Sequence, residues 1–209
     1  MKNQFYFRRL WDQRYQSEDH LAEYDGWLDD FLRDFYPGQR LLEVAIGSGP
    51  NLCVYTRLNP ADIYGCDFSE TALTLASQKK SGINLFFHDI SEPFEFDNAY
   101  FSVIVADLCL HYFTRRVTQR IIDELFRLLG AGGKIFLRVN MVGDFDSCFG
   151  QGDEIEENVF QNNENIKAFF SPESLCGYFK QWRKIRVEPN YTEKYGKPKQ
   201  CLMAVFGKS

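Results

Sequence analysis

Between residues 40 and 139, short apolar runs alternate with longer amphipathic stretches. Arg40–Leu41–Leu42–Glu43–Val44 follows a Pro37–Gly38 turn, and Ile63–Tyr64–Gly65–Cys66 and Asn84–Leu85–Phe86–Phe87 come after it. Phe101 to Ala106 and Lys134 to Val139 complete the set. Each run is rich in strand formers and bounded by turn residues, as expected of strands buried on both faces. Ser69 is placed to cap a helix whose apolar side carries Thr71, Ala72, Leu73, Leu75 and Ala76. Val117, Ile121, Ile122, Leu125, Leu128 and Leu129 recur at helical spacing, with Gly130 as the expected stop. This alternation predicts an α/β fold: a parallel sheet with helices on both faces.

The flanks predict further elements. Helices are expected around Arg8–Tyr15 and Leu21–Phe35, forming an N-terminal cap over residues 1–36 of one domain spanning 1–209. Pro172–Phe179 reads as a helix, and Arg183–Val187 and Cys201–Phe206 as two strands pairing antiparallel at the sheet edge. Residues 140–170 break the rhythm with many Gly, Asp, Glu and Asn. A long polar excursion after the fifth strand predicts a lid-like insertion at the end of the sheet where α/β folds bind ligands.

The segment richest in chemistry is Leu41 to Pro50, where Glu43 ends a strand and Ala45–Ile46–Gly47–Ser48–Gly49 makes a tight turn expected to open a helix. Small residues let a ligand touch backbone, and a helix N-terminus offers free N–H groups to an anionic group. A dinucleotide loop needs G-x-G-x-x-G, and Gly49 and Pro50 fall out of step with it.

The order small-x-Gly-x-Gly, with an acid two residues ahead, resembles motif I of the class I S-adenosylmethionine-dependent methyltransferases. Ala45 stands where that family usually has Gly. The resemblance continues to Asp67, Asp89, Asp107 and the Leu129–Gly130–Ala131–Gly132–Gly133–Lys134 turn, covering residues 40 to 139. It implies a Rossmann-like, doubly wound, seven-stranded sheet of order 3-2-1-4-5-7-6 with strand 7 antiparallel. S-adenosyl-L-methionine would be the cofactor and S-adenosyl-L-homocysteine the product. Glu43, Ala45, Gly47 and Gly49 would then border the cofactor. Asp67 would accept the ribose hydroxyls and Phe68 would lie against the adenine. Asp89 would take the adenine amino group, the Ile90 N–H a ring nitrogen, and Asp107 and Leu108 would sit beside the methionine moiety. Trp11–Asp12–Gln13–Arg14–Tyr15 resembles a W-x-x-x-Y helix of small-molecule methyltransferases of the tellurite-resistance and thiopurine types, which implies that Tyr15 meets the cofactor carboxylate.

His111 is the candidate general base, since an ordinary imidazole titrates near neutrality; the competing role is an orienting or capping residue. Trp11, Tyr112, Arg138, Asn140 and Tyr195 are substrate candidates, with Tyr191 by position only. The sequence after Asp107 lacks the Asn/Asp-Pro-Pro-Tyr motif of amino-methylating DNA enzymes.

Composition narrows the function. The net charge of −5 speaks against a nucleic-acid surface. Basic clusters at Arg115–Arg120, Lys180–Arg186 and Lys194–Lys199 read as solvated faces. The six cysteines, at 53, 66, 109, 148, 176 and 201, show no C-x-x-C spacing and only three His exist, so no metal site is expected. A reducing, cytoplasmic setting without membrane anchorage is expected. Most of the 20 Phe and 11 Tyr read as core. The expected activity is methyl transfer to O, N or S of a small molecule. The alternatives are an RNA or protein methyltransferase and a catalytically silent cofactor-binding partner, with a nicotinamide oxidoreductase disfavoured by loop spacing.

Overall fold

The computed structural model describes residues 2–17, 23–163, 165–194 and 196–209, with the side chains of the first helix from residue 9 onward. Helix α1 (Lys2–Tyr15) precedes strands β1 (Leu41–Val44) and β2 (Ile63–Asp67), helix α2 (Glu70–Lys79), and strands β3 (Asn84–Phe87) and β4 (Phe101–Asp107). Helix α3 (Arg115–Leu128) leads into β5 (Leu129–Asn140). Strands β6 (Asp153–Glu156), β7 (Val159–Asn162) and β8 (Asn165–Ala168), helix α4 (Pro172–Tyr178), and strands β9 (Arg183–Lys194) and β10 (Lys197–Gly207) follow.

The main sheet has seven strands in the order β3-β2-β1-β4-β5-β10-β9. Strands β3 to β5 run parallel; β10 lies antiparallel between β5 and β9. This is the expected order with its one reversed strand, and the helices and turns cover both faces.

Alternate residues of each strand feed two apolar layers, because successive side chains point to opposite faces. Val103 and Val105 of β4, with Met203 and Val205 of β10, meet Trp27, Leu28, Phe31, Phe35 and Tyr55 on one side. Ile104, Ala106, Leu202, Ala204 and Phe206 meet Ile121, Ile122, Leu125 and Leu175 on the other. Ser69 caps α2 by accepting the Ala72 N–H at 3.2 Å. The α3 stripe is buried as its spacing predicts.

Three elements differ from expectation. Over the described part of residues 21–35 the backbone forms only a 3-10 turn, Asp29–Asp34. Gly26 enters it in the left-handed region, and Leu28 at its N-cap offers no side-chain acceptor. The glycine loop likewise opens a short 3-10 turn, Pro50–Cys53, rather than a longer helix; Gly49 precedes it in left-handed conformation and supplies no cap. Third, α3 ends at Leu128, and Leu129 already belongs to β5. The 140–170 insertion is ordered into a three-stranded antiparallel sheet, β6-β7-β8. Its own small core is the ring contact of Phe149 with Phe160 at 5.4 Å and with Phe169 at 5.2 Å.

Candidate active site

Strand order reverses between β1 and β4, and their C-terminal ends open the crevice where such sheets bind ligands. A cavity of about 1070 Å³ occupies it, at the upper end of the range for small-molecule sites. Tyr15, Glu43, Ala45, Gly47, Asp67, Phe68, Asp89, Ile90, Asp107 and Leu108 all line it, as do Trp11, His111 and Tyr112.

The loop after β1 carries backbone strain where a ligand would lie. Ala45 has φ +52° and Gly47 φ +57°, and Leu108 at the end of β4 has φ +54°. Non-glycine residues in this region are strained, and such strain concentrates at functional sites. A Cβ on Gly47 would lie 2.7 Å from the Tyr15 hydroxyl, so α1 closes directly over the loop. Asp12 fixes that helix by accepting the Ser69 hydroxyl at 2.5 Å.

Asp67 accepts the Gly47 N–H at 2.9 Å and the Ser69 N–H at 2.9 Å. Burial pushes its carboxyl up to about 6, against the pull of backbone donors from Ser69, Gly47 and Phe68. Behind the loop, Glu43 accepts from Asn51 Nδ2 at 2.7 Å and from the Tyr55 hydroxyl at 3.0 Å. The Trp27 indole N–H holds Asn51 at 2.9 Å. Burial pushes Glu43 up to about 8; those two donors oppose it and nearby Asp107 adds to it. Asp89 both lines the cavity and pins a turn, its Oδ1 accepting from the Ser91 N–H and hydroxyl at 2.9 and 2.7 Å.

Several expected site residues sit elsewhere. Gly49 packs away from the cavity: a Cβ there would meet Leu52 Cδ1 at 2.6 Å. Arg138, expected at the substrate rim, is fully buried. Its guanidinium grips Asp107 through Nε at 2.7 Å and Nη2 at 2.9 Å, and reaches Asp25 at 2.8 Å. Asn140 is buried too, its Oδ1 accepting from Lys199 at 2.7 Å. Tyr195 lies outside the described residues. Tyr191 is 70% exposed and does not line the cavity.

His111 is buried in a 3-10 turn after β4 and its Nδ1 has no hydrogen-bond partner. Burial, and then the charges of Lys199 and Lys167, hold its pKa well below the ordinary range, so the imidazole is neutral and a weak base. Trp11 packs edge-on to Tyr112 at 5.6 Å, joining α1 to this turn. Strand β8 packs on the same turn from the insertion. Arg115 ties the insertion to α3: its N–H donates to Glu156 at 2.8 Å and its guanidinium to Glu157 at 2.7 Å.

The sequence reading missed four lysines. Lys167, Lys194, Lys197 and Lys199 line the cavity, although the Lys194–Lys199 cluster reads as solvated. The usable signal was antiparallel pairing: Cys201 lies opposite Asn140, which places the start of β10 at the ligand-binding end of β5.

These residues suit an adenosyl sulfonium cofactor. The Asp67 carboxylate has about four acceptor positions, more than its backbone donors Gly47, Ser69 and Phe68 fill, so it can still accept a ribose hydroxyl. Ser48 Oγ is buried on the cavity wall without a partner, as a polar ligand group would require.

Residues 41–133 match a family model described as a methyltransferase domain. The tRNA N(3)-cytidine methyltransferase METTL2 of Gallus gallus is 28% identical over 152 residues, covering 65% of this chain and 40% of that protein. The chain therefore spans about two fifths of the length of that curated relative. The structure superposes on a SAM-dependent methyltransferase from Methanosarcina mazei with TM-score 0.70 at 18% identity, covering 90% of this chain and 99% of the other. It also superposes on the N-methyltransferase NodS of Bradyrhizobium japonicum, solved with S-adenosyl-l-homocysteine, with TM-score 0.66 at 14% identity, covering 96% and 97%. At these identities the structural likeness establishes the fold. Residues 41–133, the strands and loops that build the cradle, are thus similar to a methyltransferase domain, and the chain has the Rossmann-like fold of these structures.

Proposed function

We propose that this enzyme methylates O, N or S of a small molecule held between the cofactor cradle and the β6–β8 sheet. One observation carries the proposal: the cavity runs without a break from Asp67 and Gly47 to residues of the insertion such as Phe160 and Lys167. A cofactor and a small acceptor fit in one continuous space of that size. The chain's net charge of −5 agrees, since it opposes a long polyanion.

When bound, the cofactor supplies an electrophilic methyl on its sulfonium. Asp67 would hold the ribose hydroxyls, Phe68 and Asp89 with the Ile90 N–H would bind the adenine, and Tyr15 would bind the carboxylate. Trp11, Tyr112 and the insertion exclude water and align the acceptor, and alignment of this kind supplies on the order of 7–11 kcal/mol. His111, held neutral, orients the acceptor through Nδ1 rather than serving as a strong base. This division of labour favours an acceptor that is already nucleophilic without losing a proton.

The 28% identical tRNA methyltransferase supports a second reading, methylation of an RNA base turned into the cavity. The deciding experiment starts with calorimetric titration of S-adenosylmethionine into wild type and Asp67→Ala. Methyl transfer from labelled cofactor is then measured against a small-molecule panel and against unmodified tRNA. Turnover confined to the panel supports the proposal; turnover of tRNA alone overturns it.

A further inference from the structure

At the insertion end of the cavity two lysines meet on one residue. Lys199 Nζ donates to Ser147 Oγ at 2.9 Å, and Lys167 Nζ donates to the Ser147 carbonyl at 3.0 Å. Lys199 also donates to Asn140 Oδ1 at 2.7 Å, and its side chain is only 12% exposed. One counter-charge faces two ammonium groups: Asp144 pairs with Lys199 at 3.8 Å, beyond hydrogen-bond distance, and its Oδ2 has no hydrogen-bond partner. Asp146 lines the cavity nearby but is exposed.

Two ammonium groups anchored on one serine repel each other in a site partly removed from water. Next to them His111 lines the same cavity, 2% exposed, with Nδ1 unpartnered. The two lysine charges help to keep this imidazole neutral, after burial, which is the larger cause. Together these are two donors with excess positive charge and one idle imidazole nitrogen on the same wall. Nothing in the cofactor cradle uses them, since Asp67, Gly47 and Tyr15 belong to other elements.

We propose that Lys167, Lys199 and His111 form an oxyanion subsite, and that the acceptor is a small molecule bearing a carboxylate or phosphate group. This deepens the small-molecule reading and rests on it. The two ammonium groups neutralise the anionic group, and the neutral imidazole, in its Nδ1–H tautomer, donates to it. The same charges would repel a cationic amine.

The test uses the full chain saturated with S-adenosyl-L-homocysteine, titrated with benzoate, phenyl phosphate or neutral benzyl alcohol at constant ionic strength. Binding is followed by calorimetry and by the His111 imidazole resonances. Saturable binding of one anion, shifts at His111 and silence with benzyl alcohol are expected; which anion binds separates a carboxylate from a phosphate substrate. Lys167→Gln, at a half-buried position, should weaken that binding at least tenfold and leave homocysteine-product affinity within twofold. Because Lys199 helps hold the insertion, it is tested as Lys199→Met with Asp144→Asn, and the thermal midpoint confirms folding. The same tenfold loss is expected.

If the product binds and neither anion does, or if anion binding survives both variants, the subsite proposal is overturned while the methyltransferase reading stands. If the product itself fails to bind, the cofactor reading beneath it falls. Methylation of tRNA that weakens in Lys167→Gln, with neither small anion bound, overturns the small-molecule assignment and reassigns the lysines to RNA.

Discussion

The Gly47 N–H donates to Asp67 Oδ2 at 2.9 Å, so the loop leaving β1 and the acid ending β2 move as one unit. Asp67 thus shapes the cofactor cradle as well as lining it. Burial holds its carboxyl at about 6, and in the proposed ribose-binding role its ionised form is the acceptor. S-adenosylmethionine affinity should therefore fall as pH drops through 6, by roughly tenfold per pH unit below it. Calorimetry from pH 5 to 8 checks this; Asp67→Asn should bind weakly with no such dependence.

The Tyr15 hydroxyl occupies the space that a Gly47 side chain would need. Gly47→Ala should weaken cofactor binding at least tenfold, through left-handed strain and displacement of Tyr15. Adding Tyr15→Phe removes the 2.7 Å contact and leaves the ring carbon Cζ at 3.6 Å. The double variant should then be less impaired than the sum of the two single changes, as read in a double-mutant cycle of cofactor affinities.

Ala45 sits at φ +52°, a conformation that glycine adopts freely. Ala45→Gly should raise stability by roughly 0.5–1 kcal/mol, the relief of strain exceeding the entropy glycine adds to the unfolded chain. Urea unfolding gives the comparison, and an unchanged or lower midpoint would contradict the strain argument.

Buried Arg138 pairs with Asp107 and Asp25, whose side chains are largely shielded from water, and stacks on Trp27 at 4.7 Å. Burial alone would raise Asp25, but the charge and hydrogen bond of Arg138 outweigh it and bring the carboxyl to about 2. Arg138→Met should cost about 3–5 kcal/mol by leaving buried carboxylates uncompensated. For Asp25 the sign is that of a depressed acid: its contribution is present above pH 3.8 and is lost as pH falls toward 2. The variant should lose this acid limb in a pH series of denaturation curves.

Glu43 shows the opposite sign. Its folded pKa, near 8, lies above the ordinary 4.5, so the folded protein retains a proton that the unfolded chain gives up. Its contribution is full below pH 4.5, is lost between 4.5 and 8, and is constant above 8. The slope within that window is at most about 1.4 kcal/mol per pH unit. Glu43→Gln keeps an amide facing Asn51 and Tyr55, and should flatten that decline. The difference between wild-type and variant stability curves isolates it from the Asp67 contribution.

The chain alone determined the framework of the protein. Apolar runs such as Val103–Ala106 bury on both faces at the centre of the sheet, and the 3.6-residue stripe of α3 finds the sheet. Acids at strand ends next to small residues, as in Glu43–Gly47 and Asp67–Ser69, reach the crevice by connectivity. These signals are local, carried within ten or so residues. The tertiary structure decided everything that depends on distant partners. Arg138 reads as a rim cation until Asp25, 113 residues earlier, arrives to bury it. Lys199 reads as solvated, and Lys167 carries no signal, until the insertion and β10 bring both to Ser147. Burial also converts His111 from an ordinary base into a neutral donor or acceptor. A charged side chain's free energy is set by what surrounds it once water is excluded, and that surrounding exists only in the folded chain.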